Sequence, residues 1–285
     1  MQRIAFLGTG AMGARVAANL IADGRDVVVW NRTPARTAEL VGKGAIAAET
    51  PRAAVDGADL AIAMVRDDDA SLAVWLDPET GALGGLKPDA VAVDCATLSV
   101  DGARSLAAAF ADAGRAFLEA PVAGSRPQAE ARALVFLVGG ETATVERVRP
   151  TLETLGGPVH HVGPVGAGAT VKLVVNAMLG AQAAQLAELL AFARAHGLDA
   201  ASTVEILGTT SVASPALKGL GAAMAAANFA PQFPIELVAK DFAQLQRSAG
   251  GAATPVSTAA ADVFRAALDA GHGDDNIAAV ARLHQ

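Results

Sequence analysis

Three glycines close to the start of the chain have the spacing of a turn that binds phosphate groups. The segment reads Gly-Thr-Gly-Ala-Met-Gly, and its predicted contact residues are Gly8, Gly10, Ala11, Met12 and Gly13. In such a turn the first glycine allows a sharp bend, the second lets a pyrophosphate approach the backbone, and the third lets the following helix pack closely on the strand. The start of that helix adds amide donors and a positive dipole end. The spacing therefore predicts a dinucleotide site, and the alternative is a glycine-rich turn without a ligand.

The residues after the second predicted strand bear on which dinucleotide would bind. An acidic residue at this place would bond the ribose 2′-hydroxyl of NAD, whereas the chain has Asn31, Arg32 and Thr33. A guanidinium can bind a phosphate through two parallel hydrogen bonds. These residues therefore predict a preference for NADP(H). The alternative is that Arg32 is a solvated surface arginine.

Two later strand ends are expected at the same edge of the sheet, because ligands bind outside the carboxyl ends of parallel strands. Met64 and Val65 follow one of these strands and would pack against the adenosine or the nicotinamide. Thr97 follows the other strand and would bond the nicotinamide ribose. Cys95, two residues earlier, is interpreted as a small buried residue at a strand end.

A lysine and an asparagine lie one helical turn apart in a long apolar segment. Lys172 is near the start of a predicted helix, within the run Ala167–Leu179, and Asn176 follows four residues later on the same helix face. Burial and the positive end of the helix should both lower the pKa of Lys172. A lysine tuned in this way can serve as general acid and base near neutral pH. The alternative is a surface lysine whose stem packs while its ammonium reaches water.

The elements that would position these residues follow two different periodicities. Before residue 163, short buried strands alternate with helices, which predicts a doubly wound, mainly parallel sheet. From Gly166 to His196 the pattern is one long helix, and every later segment also reads as helix. The predicted strands include Arg3–Leu7, Asp26–Trp30 and Ala116–Glu119, and the predicted helices include Ala11–Asp23, Pro255–Asp269 and Asn276–Leu283. We therefore predict an α/β protein with an N-terminal Rossmann domain that binds NADP over residues 1–163. A long linking helix would lead into an all-α substrate and oligomerisation domain over residues 164–285.

The composition excludes several classes of protein. The 285 residues include no tyrosine, which rules out a tyrosine acid or base, and the single cysteine rules out an intrachain disulfide or a multi-cysteine zinc site. No metal site is predicted, because the five histidines lack a metal-binding spacing. A net charge of −7 without a basic block argues against nucleic-acid binding.

Two apolar segments raise the question of a membrane. Leu173–Ala193 is long and apolar, but its Asn, Gln and Glu side chains favour a buried helix over a membrane span. The apolar start of the chain is interrupted by three glycines, which argues against a signal peptide. We expect a cytoplasmic protein that does not bind membranes.

Six motifs in order along nearly the whole chain resemble the β-hydroxyacid dehydrogenases, the family of 3-hydroxyisobutyrate dehydrogenase and of glyoxylate and succinic semialdehyde reductases. The motifs that carry the resemblance are Gly8–Gly13, Asn31–Thr33, Asp94–Ser99, Glu119–Gly124, Gly168–Asn176 and Lys240–Asp241. The resemblance implies an N-terminal Rossmann domain, a long linking helix and a helical C-terminal domain. It also implies an NADPH-preferring oxidoreductase that interconverts small aldehyde or keto acids and hydroxy acids by hydride transfer.

The resemblance also implies roles for individual residues. Lys172 would donate a proton to the carbonyl oxygen as hydride arrives, or remove it from the alcohol in the reverse direction, and Asn176 would orient the substrate or Lys172. Lys240 would reach the nicotinamide or the substrate carboxylate. The alternative from its sequence context is that Lys240 is a solvated helix lysine paired with Asp241 or Glu236.

A short loop would bind the carboxylate of a small substrate through backbone amides, according to the same resemblance. Its predicted contact residues are Ala123, Gly124 and Ser125. The family usually has serine at the first of these positions, so the alanine removes a hydroxyl donor. Either Ser125 and the amides suffice or the substrate is unusual.

Two alternative functions are considered, and a further copy of this chain is the expected protein partner. Imine reductases share this architecture but usually replace the catalytic lysine, whereas this chain keeps Lys172. A non-catalytic NADP-binding protein, such as a sensor or a chromatin-associated relative, is the other alternative, against which the retained Lys172 and Asn176 argue. The helical domain is rich in apolar residues, and we expect it to bury part of its surface in a homodimer or homotetramer.

Overall fold

The computed structural model describes residues 2–284. The chain folds into two compact units, which divide between Lys172 and Leu173. The first unit is built on a sheet and the second on helices. This matches the two periodicities of the sequence and confirms the predicted fold class.

The sheet of the first unit has nine strands in the order β3-β2-β1-β4-β5-β6-β8-β7, with β9 paired to β8. Neighbouring strands from β3 to β6 are parallel, the pairs β6–β8 and β7–β8 are antiparallel, and β9 is parallel to β8. The central strands are nearly continuous apolar runs because helices cover both faces of a parallel sheet. The strand bounds are β1 Arg3–Leu7, β2 Asp26–Trp30, β3 Ile46–Ala47, β4 Leu60–Ala63, β5 Val91–Asp94, β6 Ala116–Glu119, β7 Val122–Ala123, β8 Leu134–Gly139 and β9 Gly156–Gly163.

The two faces of this sheet have separate cores. One core includes Phe6, Leu20 and Phe136, and the other includes Trp75 and Phe110, whose rings pack edge to face at 5.3 Å between centroids. The helices of this unit are α1 Gly13–Ala22, α2 Ala38–Gly42, α3 Pro51–Ala54, α4 Asp68–Leu76, α5 Val100–Asp112, α6 Arg126–Glu130 and α7 Thr142–Leu155, with 3₁₀ turns at Pro34–Thr37 and Ala82–Gly85.

The second unit is a layer of helices around one apolar core. Residues 164–284 contain no strand, apart from an isolated bridge between Pro234 and Asn276. Leu186, Ile235 and Phe264 are among the fully packed core residues. Its elements are α8 Ala167–Ala195, whose first turns belong to the first unit, α9 Ala200–Gly208, α10 Pro215–Ala225, α11 Ile235–Arg247, α12 Pro255–Asp269 and a closing 3₁₀ helix at Ile277–His284.

Helix α8 is long and apolar enough, by length and composition alone, to cross a membrane. This is a weak indication, because core helices of water-soluble proteins pass the same test, and 44% of its most apolar window is buried. The face of α8 turned away from Lys172 exposes more than half of the side chains of Val174, Met178, Leu189 and Phe192. Self-association, with homodimer or homotetramer as the expected state, stays a prediction.

Candidate active site

The carboxyl ends of the central strands lie at one edge of the sheet of the first unit. Leu7 at the end of β1 is in register with Trp30 of β2 on one side and with Ala63 of β4 on the other. Ala63 is in turn paired with Asp94 of β5. The chain order reverses at β1, which makes this edge the topological switch point where ligands bind in open α/β sheets.

The glycine turn at this edge is shaped by two close backbone approaches. Gly8 has a φ of +100°, and a Cβ there would lie 2.6 Å from the carbonyl oxygen of Met64. A Cβ at Gly13, the first residue of α1, would lie 2.0 Å from the carbonyl oxygen of Gly8. A Cβ at Gly10 would meet no atom within 4 Å. The open space over Gly10, in front of the start of α1, fits the pyrophosphate of a dinucleotide.

Asn31 holds the glycine turn in place. Its Oδ1 accepts a hydrogen bond from the Thr9 amide at 3.0 Å, and its Nδ2 donates to the Thr33 carbonyl at 3.0 Å. The Thr9 hydroxyl donates to the Arg36 carbonyl at 3.2 Å. The sequence singled out Asn31 because it follows β2. The sequence did not predict its hydrogen bonds to Thr9 and Thr33, or that Thr9 takes part in holding the turn. The side chain of Arg32 is exposed beside this turn.

The residues after β4 pack against the same turn, and those after β5 follow the neighbouring strand of the sheet. Met64 is nearly buried, and Val65 Cγ1 would be 2.9 Å from a Cβ on Gly8, so both pack directly against the glycine turn. Thr97 is half-buried in the loop before α5. Cys95 is buried, and burial raises the pKa of its thiol, so this sulfur stays a protonated, unreactive group.

The predicted carboxylate loop has its own internal bonds. Ala123 is paired with Val135 in the short antiparallel ladder of β7 and β8. Gly124 follows with a φ of +121°, which favours glycine. The Ser125 amide donates to Gln128 Oε1 at 2.9 Å as half of a capping box at the start of α6. One bend therefore contains all three predicted residues, Ala123, Gly124 and Ser125. The Ser125 amide is already hydrogen-bonded to Gln128 of α6.

Lys172 and Asn176 are both buried on α8, with 7% and 5% of their surfaces exposed. Their four-residue spacing places them on one helix face. Asn176 Nδ2 donates to Asp241 Oδ2 at 2.5 Å. Gly180, one turn further, makes this bond possible, because a Cβ there would lie 2.6 Å from a ring carbon of Phe242 and would push α8 away from α11.

Asp241 and Lys240 complete a polar cluster in the second unit, in which Asp241 is buried and Lys240 is partly buried. Lys240 Nζ lies 2.8 Å from Asp241 Oδ1 and 3.3 Å from Gln244 Oε1. The contact with Oδ1 is an ion pair. Asp241 is 4% exposed and Gln244 is 1% exposed. The sequence treated Asp241 only as a partner of Lys240, and its bond to Asn176 was missed because it joins residues 65 positions apart.

No group of three or more His, Cys, Asp or Glu side chains is placed to hold a metal ion within residues 2–284. The candidate residues of the first unit are the glycine turn with its neighbouring strand ends, the loop after β6 and Lys172, and those of the second unit are Asn176, Lys240 and Asp241. A Rossmann-type sheet with this turn, followed by an all-α domain, defines an NAD(P)-binding oxidoreductase.

Comparison with known proteins agrees with that class. Residues 3–163 match the family model described as the NAD binding domain of 6-phosphogluconate dehydrogenase. Residues 166–284 match the model described as NAD-binding of NADP-dependent 3-hydroxyisobutyrate dehydrogenase. The chain belongs to the β-hydroxyacid dehydrogenase family, which confirms the predicted resemblance.

The names of individual relatives give different substrates. The chain is 34% identical to glyoxylate/succinic semialdehyde reductase 2 of Arabidopsis thaliana, over 97% of this chain and 78% of that protein. It is 33% identical to an NAD-dependent L-serine dehydrogenase of Pseudomonas aeruginosa, over 99% and 98%. A structure of 3-hydroxyisobutyrate dehydrogenase from Mycobacterium tuberculosis with L-serine superposes with a TM-score of 0.90 at 30% identity, covering 99% of both chains. The relatives thus include both reductases of aldehyde acids and dehydrogenases named for hydroxy or amino acids.

Proposed function

We propose that this protein is an NADPH-preferring oxidoreductase that reduces small aldehyde or keto acids to hydroxy acids, with Lys172 as general acid and base. The observation that carries the proposal is the burial of Lys172 near the start of α8, one turn before the buried Asn176. A lysine is rarely buried without a partner or a function. In a chain with an NAD(P)-binding turn, proton transfer to a substrate oxygen is the chemistry that a buried lysine can add.

Lys172, Asn176 and Asp241 have separate roles in this reaction. The nicotinamide, when bound, supplies the hydride or accepts it. The ammonium of Lys172 gives its proton to the carbonyl oxygen during reduction, and the neutral amine takes it back from the hydroxyl during oxidation. Asp241 fixes the side-chain amide of Asn176 through the 2.5 Å hydrogen bond. This bond leaves the side-chain oxygen, Asn176 Oδ1, oriented for the substrate or for Lys172.

The replacement of Lys172 tests the catalytic assignment. Lys172→Ala should lower turnover by about 10²–10⁴-fold, the usual share of general acid–base catalysis. Lys172→Arg should not restore it, because a guanidinium keeps its proton at working pH. NADPH affinity, measured by fluorescence titration, should change little in either variant. Full turnover by Lys172→Ala would remove this lysine from the mechanism and make Lys240 the next candidate.

Cofactor preference rests on the exposed Arg32 and on the lack of an acidic residue after β2. Arg32→Asp should cost about 1.5–3 kcal/mol of NADP(H) binding, the range for hydrogen bonds to charged groups, and should favour NAD. The ratio of the two cofactor affinities measures this effect. If the ratio stays the same, Arg32 is only a surface residue and the NAD-dependent relative is the better guide.

The substrate class follows from the chemistry of the site and from the names of the relatives. A panel of glyoxylate, succinic semialdehyde, 3-hydroxyisobutyrate and L-serine separates the reduction of aldehyde acids from the oxidation of β-hydroxy acids. We expect the highest kcat/KM with an aldehyde acid and NADPH. Tight NADPH binding without turnover of any of these compounds, or of an imine, would favour the non-catalytic alternative. Turnover of an imine alone would favour an imine reductase.

A further inference from the structure

The carboxylate of Glu119 lies at the start of the helix that carries Lys172. Glu119 ends β6 and is 1% exposed. Its Oε1 accepts hydrogen bonds from the amides of Gly166 at 2.5 Å and Gly168 at 2.8 Å, and its Oε2 accepts one from Ala169 at 3.2 Å. A single side chain from the sheet thus binds three backbone donors at the start of α8, two within the helix and one on the residue before it.

These bonds account for nearly all of the amides that a helix start leaves unpaired. The first four N–H groups of a helix have no partner within the helix. The remaining one here, on Ala167, donates to the Pro164 carbonyl at 3.0 Å. The regular pattern then begins with Thr170, whose amide donates to the Gly166 carbonyl. Without Glu119, three amide donors at this helix start would lose their partners.

Two glycines make room for the carboxylate. A Cβ on Gly139 of β8 would lie 2.3 Å from Glu119 Oε1, and a Cβ on Gly168 would lie 3.2 Å from the same oxygen. Burial raises the pKa of the Glu119 carboxyl, with a smaller contribution from Asp94 on the neighbouring strand, and the three amide bonds oppose this shift. The donors favour the ionised form, whose negative charge also complements the positive end of the helix.

Lys172 lies three residues after the last amide that Glu119 binds. Three residues advance a helix by about 4.5 Å, and a long side chain on a helix leans back towards the helix start. The direction of the first turn of α8 therefore sets where the Lys172 ammonium can reach. We propose that Glu119 is a positioning residue, which locks the first turn of α8 so that Lys172 is held in the geometry for proton transfer. This inference rests on the proposed function of Lys172.

Glu119→Gln tests the inference, because glutamine keeps the size but offers only one acceptor oxygen and turns an NH₂ group towards amide donors. We expect faster hydrogen exchange of the amides in residues 166–169, measured by mass spectrometry. We expect kcat per cofactor-binding site to fall by about 10- to 100-fold, the cost of a small misplacement of a catalytic group. The dissociation constant for NADPH should stay within about twofold, because the glycine turn is separate. Glu119→Asp keeps the charge but is shorter, so its kcat per site should lie between those of the original protein and Glu119→Gln.

Asp199→Ala is the matched control. Asp199 caps α9 by accepting from the Ser202 amide at 2.8 Å, so its loss also removes a helix cap. It should lower the unfolding midpoint without changing kcat per site. Two results would overturn the inference: unchanged exchange at residues 166–169, or faster exchange with unchanged kcat per site. Failure of the proposed function itself would show separately, as full turnover by Lys172→Ala.

Discussion

The glycine turn of the first unit and the polar cluster of the second unit hold functional groups by different means. The turn is made of backbone: Gly8 and Gly13 let main-chain atoms approach closely, and Asn31 braces the bend from the next strand. The cluster is made of side chains: Asp241 joins Asn176 on one helix to Lys240 on its own helix. The turn requires residues that have no side chain, whereas the cluster requires particular charged and polar side chains that are shielded from solvent.

This difference determines how each region should respond to substitution. A backbone site fails when an added atom meets a main-chain atom that cannot move away. A buried charge cluster fails when one member is removed, because the remaining charge or polar group is left unpaired at low dielectric. The first kind of failure depends on space, and the second depends on electrostatics.

The largest effect on stability should come from Asp241→Ala in the cluster. This change leaves Lys240 and Asn176 without the carboxylate, and breaking a buried pair in this way costs about 3–5 kcal/mol of unfolding free energy. Denaturant unfolding measures the loss. Asp262→Ala is the matched control, because its ion pair with Arg265 has both side chains more than half exposed, and it should cost no more than about 1 kcal/mol. Equal losses in the two variants would show that burial does not strengthen the Asp241 interactions.

An intermediate effect is expected for Gly13→Ala in the turn. The new Cβ would lie 2.0 Å from the Gly8 carbonyl oxygen, a main-chain atom, so α1 must move away from the strand. Overpacking of this kind costs about 1–3 kcal/mol. Unfolding free energy and NADPH affinity should fall together. Retention of both would mean that the turn can widen without loss.

The smallest effect on stability is expected for Gly10→Ala, the counterpart of the previous change. A Cβ at Gly10 meets nothing within 4 Å, so the unfolding free energy should stay within about 0.5 kcal/mol of the original value. Dinucleotide affinity should nevertheless drop by about tenfold or more, because the methyl group occupies the space that the pyrophosphate needs. If NADPH bound normally to this variant, the open space over Gly10 would not be the pyrophosphate site.

Elements with strong local patterns were predicted well from the sequence. β1, β2 and β6 have the predicted bounds, as does α12. Helix α1 starts at Gly13 instead of the predicted Ala11, because the turn uses the intervening residues. The last helical segment, predicted over Asn276–Leu283, is a 3₁₀ helix at Ile277–His284. In these cases the apolar periodicity located the element, and neighbouring contacts adjusted its ends or its type.

Several elements of the first unit were missed, among them helices α4 and α7 and strand β9. Helix α4 had a usable signal, since Asp67 caps it and two more acidic residues occupy its first turn. Helix α7 has Pro150 inside it, which argues against a helix in a sequence reading. Strand β9 contains three glycines and a proline, and it pairs with β8. Its pairing partner, more than its composition, makes it a strand.

The sequence by itself determined the fold class, the family, the glycine turn and the helix that carries Lys172 and Asn176. The glycine turn and the helix follow from local signals, which are glycine spacing and helical periodicity, and the fold class and the family follow from the order of many such local signals along the chain. Only the tertiary structure showed that Asn31 braces Thr9, that Asp241 holds Asn176 and that Glu119 caps α8. Those pairs are 22, 65 and up to 50 positions apart in the chain. A carboxylate or an amide carries no local signal of its partner, because the partner is chosen by which strand ends and helix faces the folded chain brings within 3 Å.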